Sequence, residues 1–460
     1  MICVTTRAVI GMAALVAAIL PSPTQAATIV VVAGITDPQS IVEAAEPGDI
    51  IRLQAGEHLG PLVVDQTLTL QGDPGAVVIG NGIGSVITVT APDVVVRGLE
   101  IRGSGRDMEA LDAGVFVAKT AHGTRVEDNQ ILNNLYGIQL HGASDSIASG
   151  NRIVGISTGR INEAGNGVSI WNAPGAKVID NDISFGRDGI FVNASSHNVF
   201  RGNRFTDLRF AVHYMYTNDS EISDNVSLGN AAGFAIMYSS RLRIAGNASD
   251  GDRDHGLLLN YANGSEITGN VIRGRPQPVE RWTTAGQHGS EHGTPVDAAS
   301  DAALVAGGMR LGPEKCVFIY NANRNLFSGN RFEGCATGIH FTAGSEGNSV
   351  FGNAFIGNRN QVKYVGTRFI DWSLDGRGNY WSDNPAFDLD GDGIGDSPYR
   401  PNDLVDAVLW TVPQAKVLVN SPAVQVIRWA QTQFPAMLPG GVVDTYPLMT
   451  PPNPTATVQE

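Results

Sequence analysis

The sequence predicts an all-β protein, a right-handed parallel β-helix with an N-terminal cap and an irregular, partly helical C-terminal tail. Asparagine recurs about every 22 residues through the middle of the chain, which indicates one repeated unit. Apolar and polar residues alternate between the asparagines, which is a strand pattern. Glycine, with 55 copies, supplies the tight corners. A unit this short cannot bury an apolar face alone, so successive units must stack.

Asparagine marks one corner of every predicted coil. The repeat asparagines are Asn129, Asn151, Asn181, Asn203, Asn225, Asn247, Asn270, Asn330 and Asn353. The steps between them are 22, 30, 22, 22, 22, 23, 60 and 23 residues, so two insertions interrupt the period. We expect the amides to stack as a ladder along the axis.

Strands explain the residues between the asparagines better than helices do. Ile138 and Leu140 are two residues apart, as are Ile190 and Val192. This spacing places both members of a pair on one face of a strand. A leucine-rich repeat would place leucine at fixed positions, but leucine is scattered here. We expect about three short strands per coil, with coils about 4.8 Å apart.

The chain begins like a secreted protein. Arg7 precedes an apolar run that ends at Leu20, and small residues around Ala26 form a cleavage site. We predict a signal peptide over 1–26, a periplasmic mature protein and a β-helix over 27–383. A capping helix is predicted over 37–45. The first strands are predicted over 49–53, 62–64, 68–70, 77–79, 86–89 and 94–101.

The two insertions and the tail depart from the repeat. The insertions cover 158–166 and 273–313, and long loops that project from a regular scaffold are often functional. Residues 384–460 begin with an acidic loop and continue into an apolar segment. A helix is predicted over 421–434. So many large apolar residues after the last repeat predict either a cap or a docking surface for another protein.

Charge and cysteine content restrict the partners. The net charge is −14, and it becomes −15 when the signal with Arg7 is removed. Such acidity argues against a nucleic acid partner. Cys316 and Cys335 remain in an oxidising compartment. The register puts Cys316 beside Gly338 rather than beside Cys335, which favours a buried thiol, while a disulfide and a thiolate metal site stay open alternatives.

A candidate metal site emerges when the coils are aligned on the asparagines. His213, Met215 and Met237 fall on one outward strand face, with the two methionines in neighbouring coils. Thioether and imidazole donors together suit copper as Cu(I). The alternative is that the methionines, beside Tyr216 and Tyr238, pack under a loop.

Two weaker metal motifs follow. His288 and His292 lie four residues apart in the second insertion. Asp388, Asp390 and Asp392 match the first half of a calcium loop, but its twelfth position lacks the expected glutamate. A calcium-stabilised turn and an acidic surface turn are the two interpretations.

A β-helix could instead act on carbohydrates as a lyase, an epimerase or a hydrolase. That chemistry requires paired acids, or an acid with a base, in a groove. Glu163, Asp188 beside Arg187, and Asp254 beside His255 are the candidates. They form no repeated cluster on one face.

Several blocks of sequence resemble one known family. The blocks are Cys316-Val317-Phe318-Ile319-Tyr320-Asn321-Ala322, Gly338-Ile339-His340-Phe341-Thr342-Ala343-Gly344-Ser345, Gly378-Asn379-Tyr380-Trp381-Ser382-Asp383 and Tyr399-Arg400-Pro401-Asn402-Asp403. Nearly the whole mature chain is similar to the NosD family, periplasmic maturation factors for the copper sites of nitrous oxide reductase in denitrifying bacteria.

The resemblance implies a non-enzymatic role. It implies a protein that associates with the membrane only through an ABC transporter, made of an ATPase and a permease subunit. It also implies that copper comes from a lipoprotein chaperone and is presented to nitrous oxide reductase. A third possibility is a structural scaffold that binds the transporter but no metal.

Overall fold

The chain forms a parallel β-solenoid, described by a computed structural model over residues 26–283, 308–366, 368–418, 421–433 and 440–452. The predicted signal peptide, except for its last residue, lies outside this part. Three long parallel sheets of 13, 13 and 12 strands run side by side along the rod. The predicted architecture is confirmed. Within the described residues, no helix is long and apolar enough to cross a membrane.

The strands of each sheet come from successive coils. The first sheet contains Thr28–Val31, Ile50–Leu53, Thr69–Gly72, Val95–Arg97, Arg125–Glu127, Ile147–Ser149, Lys177–Ile179, Val199–Arg201, Glu221–Ser223, Arg243–Ala245, Glu266–Thr268, Leu326–Ser328 and Ser349–Phe351. The second contains Gly56–Leu59, Ala76–Ile79, Glu100–Arg102, Gln130–Leu132, Arg152–Val154, Asp182–Ser184, Arg204–Thr206, Val226–Leu228, Ala248–Asp250, Val271–Arg273, Arg331–Glu333, Ala354–Ile356 and Tyr380–Trp381. The third contains Leu62–Val64, Ile87–Val89, Ala113–Val117, Tyr136–His141, Val168–Trp171, Asp188–Asn193, Phe210–Met215, Ala232–Met237, His255–Asn260, Lys315–Tyr320, Thr337–Thr342 and Asn360–Val365.

The remaining strands and helices lie outside the three long sheets. Arg275–Pro278 pairs antiparallel with Met309–Gly312, and Ile370–Asp371 pairs parallel with Val442–Val443. Among the described residues, the α-helices are Pro38–Ala44, Glu280–Thr283, Leu404–Thr411 and Pro422–Gln433, and the 3₁₀ helices are Ile161–Glu163 and Pro413–Leu418.

Buried asparagines hold each coil to the next. The Asn203 side-chain amide donates to Asn225 Oδ1 at 2.9 Å and to the Val178 carbonyl at 2.8 Å, while Asn203 Oδ1 accepts from the Asn181 backbone N–H at 3.0 Å. This pattern continues to Asn379. The predicted ladder is therefore confirmed, and it satisfies corner groups that burial would otherwise leave unpaired.

The predicted segments are confirmed with two differences in the first coils. The capping helix forms at Pro38–Ala44 because the Asp37 carboxylate accepts from two backbone N–H groups of its first turn. The strand predicted over 94–101 is two strands, because the chain turns at Gly98, which has a φ of 69°. Strands Thr28–Val31 and Gly56–Leu59 were missed.

The cysteines correct the sequence-based preference for a buried thiol. Cys316 lies beside Gly338 in the strand register, as expected. Cys335 nevertheless forms a disulfide with Cys316, with the two Cα atoms 5.7 Å apart. The register describes only strand residues, whereas Cys335 lies in the corner before its strand. Both cysteines are fully buried there.

A buried carboxylic acid lies at the corner between the second and third sheets. Asp252 occupies the position that Asn230 has in the preceding coil, and it accepts hydrogen bonds from Ser227, Ser249 and the Asn230 backbone N–H at 2.6–3.0 Å. Burial raises the pKa of Asp252 to about 7, although these hydrogen bonds oppose the shift. In the folded protein, the Asp252 side chain therefore keeps its proton at pH values below about 7.

The first residues of the second insertion lie against this corner. Gln277 and Arg281 donate to the Gly251 carbonyl, both at 2.9 Å, and Arg281 also reaches the Gly229 carbonyl at 2.5 Å. The Trp282 ring is buried and lies under the Arg310 guanidinium, 4.9 Å away. These contacts fix the first described end of the insertion to the rod and join its second end to the first.

Asn203→Ala should destabilise the fold by about 2–3 kcal/mol, because it leaves several buried groups unpaired. Urea denaturation measures the loss. Arg204→Ala, at the exposed neighbouring strand position, is the control and should change stability by less than about 0.5 kcal/mol. Equal effects of the two substitutions would show that the ladder does not stabilise the coils.

Asp252→Asn should reduce the pH dependence of stability. An acid with a folded-state pKa of about 7 holds a proton that the unfolded chain loses near pH 4, so wild-type stability falls as pH rises through this window. Asparagine cannot titrate, so the variant should lose less stability between pH 5 and pH 8, by on the order of 2 kcal/mol. Urea midpoints at both pH values test this, with the exposed Asp182→Asn as control. Identical pH profiles for wild type and Asp252→Asn would contradict it.

Candidate functional site

The outer face of the third sheet brings the predicted copper donors together. In strand Phe210–Met215, Val212 and Tyr214 are fully buried in the core, so the alternate residues His213 and Met215 point outward. Met215 pairs with Met237 of the next coil. The Cα atoms of Met215 and Met237 are therefore about 4.8 Å apart. The Cα atom of His213 lies about 7 Å from that of Met215 along the strand.

His213 is buried although it points outward. Its ring lies against the rings of Phe191 and Phe210 in edge arrangements, with centroids 5.1 and 5.0 Å away. Nδ1 is 3.1 Å from Asp188 Oδ2, whereas Nε2 is buried without a hydrogen-bond partner. A buried nitrogen with no partner carries a desolvation cost of about 1–3 kcal/mol, which a ligand at Nε2 would remove.

The buried carboxylate of Asp188 lies next to His213. Arg209 donates to both carboxylate oxygens, from Nε at 2.8 Å and from Nη2 at 2.5 Å. Burial by itself would raise the pKa of Asp188, but the hydrogen bond to His213 and the charge of Arg209 outweigh it and lower the pKa to about 2. The carboxylate is therefore ionised at neutral pH. Sequence reasoning missed this contact because Asp188 and His213 lie at different positions of neighbouring coils.

An exposed tyrosine ladder follows the methionines. Tyr216, Tyr238 and Tyr261 stack along the rod with ring centroids 5.1 Å apart, and about half of each side chain is exposed. Each has a φ near 50°, a left-handed conformation in which a bulky residue is strained. The equivalent corner residues in other coils include Gly142 and Asn172. Three strained aromatic residues in a row make this stretch a candidate functional surface.

The other predicted metal motifs stand apart from this face. The carboxylates of Asp388, Asp390 and Asp392 lie within 4.8 Å of one another and are largely exposed. Asp388 already accepts from the backbone N–H groups of Gly391 and Gly393. Calcium binding here stays a prediction. His288 and His292 lie outside the described residues.

The candidate acids for sugar chemistry do not form a pair. Asp188 is fully buried and held by Arg209, and Asp254 forms an ion pair with Arg253. The register separates Asp188 from Asp254 by three coils, or about 14 Å. Paired carboxylates of glycosidases lie about 5–9.5 Å apart. Glu163 belongs to the 3₁₀ helix of the first insertion.

Comparisons with known proteins agree with the sequence blocks. The family described as "Periplasmic copper-binding protein (NosD)" matches residues 155–386. Proteins named "Probable ABC transporter binding protein NosD" from Stutzerimonas stutzeri and Pseudomonas aeruginosa are each 40% identical over 402 and 400 residues, which is 87% of this chain and 87% and 88% of theirs. The pneumococcal surface adhesin PfbA is 12% identical, with a TM-score of 0.49 over 72% of this chain and 97% of its own. The chain belongs to the periplasmic NosD family.

Proposed function

We propose that this protein is a non-catalytic periplasmic subunit that receives copper and presents it for the assembly of the copper sites of nitrous oxide reductase. Membership of a family described as copper-binding supports this. The observation that carries the proposal is the unpaired, buried Nε2 of His213 on the same face as the Met215–Met237 pair.

The donor set suits Cu(I) better than harder cations. Two thioethers and an imidazole are soft or borderline ligands. The register neighbours of the two methionines in the adjacent coils, Asn193 and Asn260, offer neutral amides and no carboxylate. Calcium and magnesium require several oxygen ligands, which this face lacks among the described residues of the two strands. Copper is cargo here, and a site with only three donors allows it to be taken up and released.

The exposed tyrosine ladder supports a docking surface next to these donors. A metal passes directly between two proteins only if both sets of ligands can reach it, so the partner must contact the surface around Met215 and Met237. Aromatic residues and methionine are enriched at protein interfaces, and charges are depleted. We assign the ladder to the copper-donating lipoprotein chaperone or the copper-accepting reductase.

The C-terminal helices supply a separate surface for the transporter. Val426 and Trp429 lie three residues apart on helix Pro422–Gln433, so they share a face, and both are more than 60% exposed. Val408 and Val412 of the preceding segment are also exposed. An apolar surface of this kind favours the docking interpretation of the tail. We assign it to the permease of the ABC transporter.

Replacing the proposed copper donors should weaken Cu(I) binding. His213→Ala, and Met215→Leu with Met237→Leu, should each lower the affinity by about tenfold or more, since each removes a bond to the metal. Anaerobic competition against a Cu(I) chelator measures the affinity. His122→Ala and Met309→Leu change the same residue types at exposed positions elsewhere and are the controls. Wild-type affinity in a variant with all three donors replaced would remove this site.

Charge on the exposed helix face should break the complex with the transporter. Val426→Asp with Trp429→Asp should reduce copurification with the ATPase and permease subunits, because aspartate is costly to bury in an interface. Ile35→Asp, at an exposed position in the first coils, is the control. Undiminished copurification of the double variant, with normal thermal unfolding, would show that the transporter binds elsewhere.

A further inference from the structure

The copper-binding capacity of His213 depends on where its proton lies. A neutral imidazole carries one N–H, and the other nitrogen alone has a lone pair for a metal. If the proton is on Nδ1, Nε2 is a ligand. If the proton is on Nε2, the buried nitrogen that faces no partner cannot bind a metal.

Two groups compete for Nδ1. Asp188 Oδ2, an acceptor, is 3.1 Å away, and Arg209 Nη2, a donor, is 3.4 Å away. The Asp188 acceptor lies at a normal hydrogen-bond distance, whereas the 3.4 Å to Arg209 Nη2, which also donates to Asp188 Oδ2, exceeds the usual range of about 2.7–3.2 Å. The arrangement thus leaves the carboxylate to accept a hydrogen bond from an N–H at Nδ1.

We propose that Asp188, itself held by Arg209, is a positioning residue that keeps the His213 proton on Nδ1 and so reserves Nε2 for copper. This inference rests on the proposed function. The side chain of Asp188 is fully buried, so water does not replace it as the acceptor. The Phe191 and Phe210 rings restrict rotation of the imidazole. Carboxylates that orient metal-binding histidines act in this way, and their loss typically costs about 10–100-fold in affinity.

The proton position is tested directly on the metal-free mature protein. ¹⁵N NMR of histidine-labelled protein distinguishes the two tautomers and the doubly protonated ring, and His213→Gln assigns the signal. The proposal expects a lone pair on Nε2 and a proton on Nδ1. A proton on Nε2, or on both nitrogens at neutral pH, would overturn it.

A second test removes the acceptor. Asp188→Ala alone leaves the Arg209 charge unpaired and risks misfolding, so Asp188→Ala is combined with Arg209→Met. Arg187, 3.7 Å from Asp188 Oδ2, keeps its charge in this variant and is partly exposed to solvent. Glu221→Ala with Arg243→Met removes an exposed acid–arginine pair and is the matched control. The buried double variant should lose the Nδ1–H signature and about 10–100-fold in Cu(I) affinity, whereas the control should keep both.

The result separates this inference from the proposed function. If His213→Ala binds Cu(I) as tightly as wild type, the proposed copper site fails, but the NMR experiment still decides the tautomer. If His213→Ala loses affinity and the buried double variant keeps it, His213 binds copper without help from Asp188, and the positioning role is wrong.

Discussion

The stacking of asparagine amides is the interaction on which this structure depends. Each buried amide donates to the asparagine of the next coil, and its second N–H donates to a backbone carbonyl of the preceding coil. Because the same bonds recur at the same corner, the register between coils is fixed. Without it, residues 22 apart in sequence would not become neighbours, and no face of the rod could combine donors from separate coils.

The candidate site uses this fixed register in two ways. Identical residues in adjacent coils are placed side by side, as with Met215 and Met237 and with the three tyrosines. Unlike residues at different register positions of neighbouring strands can also meet, as Asp188 and His213 do. The first arrangement gives a soft ligand pair, and the second gives an imidazole of defined orientation.

The same regularity explains what the sequence could and could not predict. The methionine pair could be predicted from the repeat length, since the steps from Asn203 through Asn247 are all 22 residues. The burial of His213 could not be predicted in this way, because it depends on Arg209 and on two phenylalanines at different positions of the repeat. The disulfide was an open alternative but not the favoured one, because Cys335 lies in a corner, where strand register carries no information. Helix Leu404–Thr411 had a local signal, the Asp403–Asp406 capping box, that periodicity does not reveal.

The end of the rod gives the C-terminal helices an unexpected attachment. Asp444 Oδ2 accepts from the Asn379 backbone N–H at 2.6 Å and from the Trp381 indole at 2.7 Å, and Val442–Val443 pairs with Ile370–Asp371. The segment between the last coil and Asp444 is therefore attached to the rod at both of its ends. A load applied to the helices would be shared by both attachment points and carried into the final rung of the asparagine ladder. A single break between the two helices would leave each of them still joined to the rod.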